Sequence, residues 1–491
     1  MDSKTLRKYV DKQFLINVLP NLMNFIRIPN LSPSYDQNWK TNGLILKAAS
    51  LVASYAKYLN IKNAEVNLLQ DKGYTPLVFI EIPASRQNDN RTVLFYGHFD
   101  KQPYGTGWDK DKKPTEPVIQ NDHLYGRGAA DDGYALFSIL TAIKTCQDFN
   151  RLLPRICCIF EGAEESTDTH LRHYFDKLLP ILGNNIVAFI PLDSGCADYN
   201  RLWMTNSLRG VVDFDVNIET LQNESHYGPE AAGIVAENLF LARKVYDGII
   251  DSKTGEVKLK ECNVDKIPEI VEEHLKKEIE IIGKDYIKNI PLYDGVSPLK
   301  TDVKELLINN RWKPTCNILG IDKCPKISEK GFGIPNGIKV RMSMRLPPLV
   351  DKNKVHDAIQ KAISDNIYFG AKISMGYFDL GEGVFLGNMT NKTKDILNRA
   401  SKEFFGNEMI FNGGGGSIPF ISYFQSKYPN VDIICTGIVG SDSHEHGPNE
   451  NLNIEACKKM ICILCYFLSE LSEQPETQNN NEGLIPNEES N

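Results

Sequence analysis

No stretch of the chain approaches the ~18 uninterrupted apolar residues that a membrane-spanning helix requires. The opening MDSKTLRKYVDKQFLINVLPN lacks the basic start and unbroken apolar core of a secretory leader; its apolar positions fall at helical spacing, as in an amphipathic helix. Basic charge is not in excess either. Lys and Arg number 55 against 63 Asp and Glu, mixed along the chain for a net charge of -8, which argues against a nucleic-acid footprint. There is no disulfide framework: the eleven cysteines are scattered, and Cys157, Cys158, Cys435, Cys462 and Cys465 sit in apolar runs, as reduced thiols of a cytosolic protein do. Cys462 and Cys465 form a C-x-x-C, but inside a helical run where apolar packing is the simpler role. No internal repeat is visible. These absences predict a cytoplasmic globular protein with no membrane or nucleic-acid partner.

At 491 residues, with 42% hydrophobic and 24% charged residues, the chain is ordinary in composition and too long for one core, so two or three domains are expected. The first part, 1–207, alternates apolar strand runs with helical segments, which predicts an α/β fold: a three-layer domain with a mainly parallel sheet. From about Ser207 the pattern becomes the strict alternation of half-exposed strands, and residues 208–380 are expected to form an inserted α+β domain whose sheet is open on one face. The first domain then resumes over 381–473. Here FNGGGGSIPF reads as a Gly-rich loop leading into a helix, VDIICTGIVG as a further apolar strand, and the Cys-rich run as a terminal helix. With no Lys after the glycines there is no case for a phosphate-binding loop. The Asn- and Glu-rich tail, 474–491, is expected to be disordered.

Chemistry concentrates where these elements end. The apolar run of RTVLFYGHFD delivers His98 and Asp100 from its C-terminal end, the place where open α/β sheets keep their sites. His98 reads as a metal ligand, with Asp100 positioned to take its other ring N–H. YGRGAADDGY places Asp131 and Asp132 at a helix entrance, where capping explains one Asp and not two. FEGAEES ends in Glu164 and Glu165, adjacent carboxylates that repel unless a cation joins them. PLDSG supplies Asp193, and SDSHEHGPNE offers His444 or His446. Two imidazoles and several carboxylates, with no Cys, suit zinc, or manganese or cobalt. The set is too large for one tetrahedral ion; it suffices for two divalent ions about 3.5–4 Å apart, with one carboxylate left to move a proton.

GHFD, YGRGAADDGY, FEGAEES, PLDSG, GGSIP and HGPNE, in this order and around an insert, resemble the di-zinc peptidase and deacylase family of cytosolic non-specific dipeptidase, carnosinase, glutamate carboxypeptidase, aminoacylase and succinyl-diaminopimelate desuccinylase. The motifs cover roughly His98 to Glu450, and their contexts look closest to the dipeptidase branch. The resemblance implies that His98 and Asp193 hold one metal, Glu165 and His446 the other, and that Asp131 bridges. It implies Glu164 as general base, Asp100 orienting His98, a cis Asp131–Asp132 peptide, and a homodimer formed through the insert. His226, in ESHYG, would be lent to the partner's site, Arg345 would fork onto a substrate carboxylate, and Gly416 and Ser417 would cradle it. The implied reaction is hydrolysis of a dipeptide, with N-acyl amino acid deacylation as the alternative and an inactive binding relative as the third reading. One departure stands out: Gly414 occupies the place just before GGS where relatives commonly carry an acid.

Overall fold

The computed structural model describes residues 2–473, apart from Asn289, Pro291, Lys330, Phe332, Asn388 and the side chain of Lys284. The tail expected to be disordered, 474–491, lies outside the described residues. The first part carries helices α1 (Ser3–Gln13) and α2 (Leu44–Tyr58), strands β1 (Glu65–Leu69), β2 (Leu77–Ile82) and β3 (Thr92–His98), and helix α3 (Tyr134–Asp148). Strand β4 (Arg155–Glu161), helix α4 (Thr169–Leu182) and strands β5 (Ile186–Pro191) and β6 (Trp203–Leu208) follow. The middle holds β7 (Gly210–Glu219), α5 (Asn238–Ile249), α6 (Glu269–Ile282), α7 (Val303–Arg311), β8 (Thr315–Asp322), β9 (Gly337–Leu346), α8 (Lys352–Ser364) and β10 (Lys372–Gly381). The last part adds α9 (Asn391–Phe405), β11 (Ile410–Gly414), α10 (Pro419–Lys427), β12 (Asp432–Ile433) and α11 (Ile454–Glu473).

The central sheet has the order β1-β2-β4-β3-β5-β12. Strands β4, β3, β5 and β12 pair in parallel, whereas β2 runs against its neighbours. Its inner strands β2, β4, β3 and β5 are buried along nearly their whole length because both faces are covered, whereas β1 at the edge is largely exposed. Helices α1, α2, α3 and α11 pack one face through a core including Phe95, Phe137 and Leu464; α4 and α10 pack the other around Tyr96, Phe175 and Phe424. This is the three-layer α/β architecture.

The insert's sheet is fully antiparallel, in the order β8-β9-β7-β10. Alternate residues Val212, Phe214, Val340 and Met342 face a core with α5 and α8, and their neighbours face outward. Helices α6 and α7 do not join that core. They pack through Leu275, Leu307 and Trp312 against Phe385, and through Ile281 and Ile282 beside Trp203 and Ile410.

Two local readings change. The glycine run begins as a strand: β11 pairs in parallel with β6, Asn412 opposite Thr205. Glycine's low strand propensity hid a partner some two hundred residues distant, against which the missing side chains permit close packing. The run VDIICTGIVG is strand only over Asp432–Ile433 and again over Val439–Gly440. Between them the chain bends past Ser194, whose carbonyl oxygen lies 1.9 Å from where a Cβ of Gly437 would stand, so only glycine fits.

Candidate active site

Strand β3 ends in His98, fully buried, opposite Glu161 of β4. Gly97 just before it leaves room for Asp132: a Cβ there would lie 2.9 Å from Asp132 Oδ2, which accepts the backbone N–H of His98 at 3.3 Å. His98 Nδ1 faces Asp100, 3.2 Å from its carbonyl oxygen and 3.4 Å from Oδ1. With Nδ1 donating there, Nε2 turns toward two carboxylates, Asp131 Oδ1 at 3.1 Å and Asp193 Oδ2 at 3.8 Å. The other oxygen of Asp131 is 2.9 Å from His446 Nε2, and that nitrogen is 3.4 Å from Glu165 Oε2. Two three-ligand groups thus share Asp131: His98, Asp131 and Asp193, and Asp131, Glu165 and His446, each with its donor atoms within 4.8 Å of one another.

Neighbouring groups hold this arrangement. Asp100 accepts the backbone N–H of Glu164 at 3.2 Å and of Glu165 at 3.1 Å, so one carboxylate orients both the imidazole and the glutamate turn. Buried Glu450 accepts the N–H groups of Gly128, Ala130 and Asp131 and pairs with Arg127 Nη1 at 2.7 Å, fixing the loop that carries Asp131. The Asp131–Asp132 peptide is cis. Tyr134 donates its hydroxyl to Leu192 O, next to Asp193.

The electrostatics are those of buried acids crowded around two imidazoles. Burial, then Asp193, raises Glu164 well above its usual range; burial and Asp131 raise Glu165 to about 7; and burial raises Asp193 to about 6. Burial would lower His446, but its bonds to Asp131 and Glu165 outweigh that and raise it to about 11; His98 is raised likewise by Asp100 and Asp131. Asp131, facing both imidazoles, is held well below the carboxylate range despite its burial. Glu165 Oε1 is buried with no partner. The donor set, nitrogen and carboxylate oxygen in two groups around a shared carboxylate, fits two metal ions.

A cleft of about 700 Å³ opens over Asp131, Glu164, Glu165, Asp193 and His446. Gly416 and Ser417 line it, and Arg345 Nη1 donates to Ser417 Oγ at 2.8 Å. Ser417 precedes α10, with Ile418 between them at the cap position. His226 is exposed, on a short ribbon opposite Gly333, and does not line the cleft. His444 stands outside both three-ligand groups. Sequence reasoning noted Asp132 without a role, missed Arg127, used Glu450 only as a motif letter, and overlooked Glu278, Tyr286 and Arg311, which α6, α7 and the turn between them bring into the cleft wall.

Fold and site define a hydrolase-type α/β protein built to hold paired metal ions at the ends of parallel strands. The chain belongs to peptidase family M20/M25/M40, whose model matches residues 94–470. It is similar to the Cys-Gly metallodipeptidase DUG1 of Saccharomyces cerevisiae, 27% identical over 405 residues, 79% of this chain and 80% of that one. It is 26% identical to human Beta-Ala-His dipeptidase over 377 residues, 74% of this chain and 71% of the relative. In fold it resembles the solved structure of the yeast dipeptidase Dug1p, with a TM-score of 0.82 at 21% identity, covering 97% of this chain and 99% of the other. Among the described residues, no helix is long and apolar enough to cross a membrane.

Proposed function

We propose that this protein is a two-metal dipeptidase. The observation that carries the reading is the pair of three-ligand groups joined through the two oxygens of Asp131, with Glu164 beside them and uncommitted to either. His98 and Asp193 would hold one ion, Glu165 and His446 the other, and Asp131 would bridge; zinc suits this nitrogen and oxygen set, with manganese or cobalt able to replace it. When bound, the ions supply Lewis acidity, lowering the pKa of water and polarising a carbonyl.

The chain's own residues do the rest. Glu164, its carboxylate made more basic by burial and by Asp193, takes a proton from the attacking water and gives it to the leaving amine nitrogen. Asp100 keeps His98 in the tautomer with Nδ1 protonated, leaving Nε2 free to ligate. Arg345 and Ser417, with the amide of Gly416, hold the C-terminal carboxylate of the dipeptide. The exposed ribbon carrying His226 suits a homodimer formed through the insert, in which His226 of one chain reaches the cleft of the other and stabilises the oxyanion. The cysteines are free and all but Cys324 are buried, which suits a reducing, cytoplasmic setting.

The test is turnover by the chain reconstituted with zinc or manganese, on dipeptides beside N-acetyl and N-succinyl amino acids. Dipeptides should be cleaved and the acyl amino acids left. The reverse preference would make the protein a deacylase using the same residues.

A further inference from the structure

Glu278 and Arg311 are both buried, and their side chains form a two-bonded fork, Nη1 to Oε2 at 2.6 Å and Nη2 to Oε1 at 2.8 Å. They come from α6 and α7, the two insert helices that left the insert's own core, and they meet over the glycine run. A Cβ on Gly413 would stand 2.9 Å from Arg311 Cδ and 2.9 Å from Ser207 Oγ; one on Gly415 would stand 2.5 Å from Asn310 Oδ1. On the other side Arg209 Nε donates to Gly415 O at 2.8 Å. The glycines therefore form a seat rather than a flexible loop, and the end of α7 is docked in it.

What the seat fixes is a wall of the cleft. Ser417, beside Arg345, marks one end of the glycine run; Asn412, at the other, lies opposite Thr205, whose hydroxyl meets Ser194 next to Asp193. If the substrate carboxylate sits at Ser417, the amino-terminal residue points past Asp193, toward Ala197, Ile281, Ile282 and Val439. The two isoleucines end α6, one turn beyond Glu278. Asp285 and Glu445 face the same region with Lys288 as the one cation not already paired among the described lining residues, Arg311 being engaged by Glu278.

Resting on the dipeptidase reading, we propose that Glu278 and Arg311, held by the docking of α7 on Gly413 and Gly415, are positioning residues for the wall that reads the amino-terminal residue of the dipeptide, admitting apolar or cationic side chains and rejecting acidic ones. Burial of the pair holds α6 in place; the apolar end of α6 and the surrounding carboxylates then do the selecting. An acidic side chain placed there would lose water and meet like charge.

The experiment compares Leu-Gly, Lys-Gly and Glu-Gly with the metal-loaded full chain and with Gly413→Ala, Arg311→Ala and Arg311→Lys, alongside amide exchange of residues 269–282. The intact protein should favour Leu-Gly and Lys-Gly over Glu-Gly by about tenfold or more in kcat/KM. Gly413→Ala and Arg311→Ala should raise exchange in α6, raise KM about tenfold with kcat within about threefold, and flatten the preference, and Arg311→Lys should restore part of it. Turnover of the dipeptides with an unchanged ranking in both variants would overturn this inference alone. No turnover on any dipeptide would overturn it together with the dipeptidase reading.

Discussion

All seven residues of β3 are buried, whereas β9 of the insert alternates buried and half-buried positions along most of its length. The first strand is clamped between helical layers on both faces; the second is covered on one. A strand that cannot shift brings His98 Nε2 to 3.1 Å from Asp131 and 3.8 Å from Asp193. A sheet with a free face can meet a partner and lend helices, as the insert lends α6 and α7 to the cleft. Precision in this molecule follows two-sided burial, and adaptability follows the open face.

The largest expected effect probes the precise side. Glu164→Gln should lower kcat by about 10²–10⁴-fold, the range for loss of a general base, while elemental analysis still finds two metal ions per chain. Turnover near that of the unaltered protein would remove Glu164 from the mechanism and detach the chemistry from the strand ends.

The same contrast explains what could be read from the chain. His98, Asp131, Glu164, Glu165 and Asp193 were legible because each ends an apolar run or opens a helix, so the sequence pattern itself locates it on the sheet's carboxyl edge; His446 was separated from His444 only by the resemblance its HGPNE context carries. Asp100 was legible by its spacing from His98. Glu278 and Arg311 were not, because each lies in an amphipathic helix where a charge ordinarily marks the solvated face, and their burial depends on a seat of glycines more than a hundred residues later. The strand β11 was read as a loop for the converse reason: glycine carries almost no local strand signal, and its partner β6 lies on the far side of the insert. Non-local docking, not local propensity, decided both.

Stability measurements sharpen the comparison further. Phe95→Ala in β3 should cost about 3–5 kcal/mol, since a fully buried aromatic ring would leave a cavity between layers that cannot collapse. Ser343→Ala, at a half-buried position of β9, should change stability by about 0.5 kcal/mol or less. Calorimetry of both variants reads the difference, and equal costs would break the link between covered faces and rigidity.

Lys101 tests the clamp at its edge. Its buried ammonium donates to Phe25 O and Ile28 O, each at 2.8 Å, and lies over the Phe25 ring, tying the amino-terminal helices to the loop just past Asp100. Lys101→Met keeps the volume and strands those carbonyls, which should cost about 1–3 kcal/mol and show as faster amide exchange near Asp100. Unchanged exchange would mean that β3 positions the loop unaided.

The last test is a change with pH. Glu161, at the end of β4 beside His98, is pushed up to about 8 by burial, reinforced by Asp100, while the Tyr96 hydroxyl donates to it at 2.9 Å. Its ordinary value is 4.5, so below that pH both the folded and unfolded chains hold the proton and the group is neutral in the balance. Between 4.5 and about 8 the unfolded chain ionises while the folded one does not; folding then binds protons, and stability falls as pH rises until the folded carboxyl also ionises. Glu161→Gln keeps an acceptor for Tyr96 and removes that ionisation. The melting temperature of the variant should therefore gain on the unaltered protein as pH rises from about 5 to about 8.5, and level off above that. A difference that stays constant with pH would show that Glu161 is already ionised in the folded protein, and that the carboxyl edge of the buried sheet tolerates an additional charge.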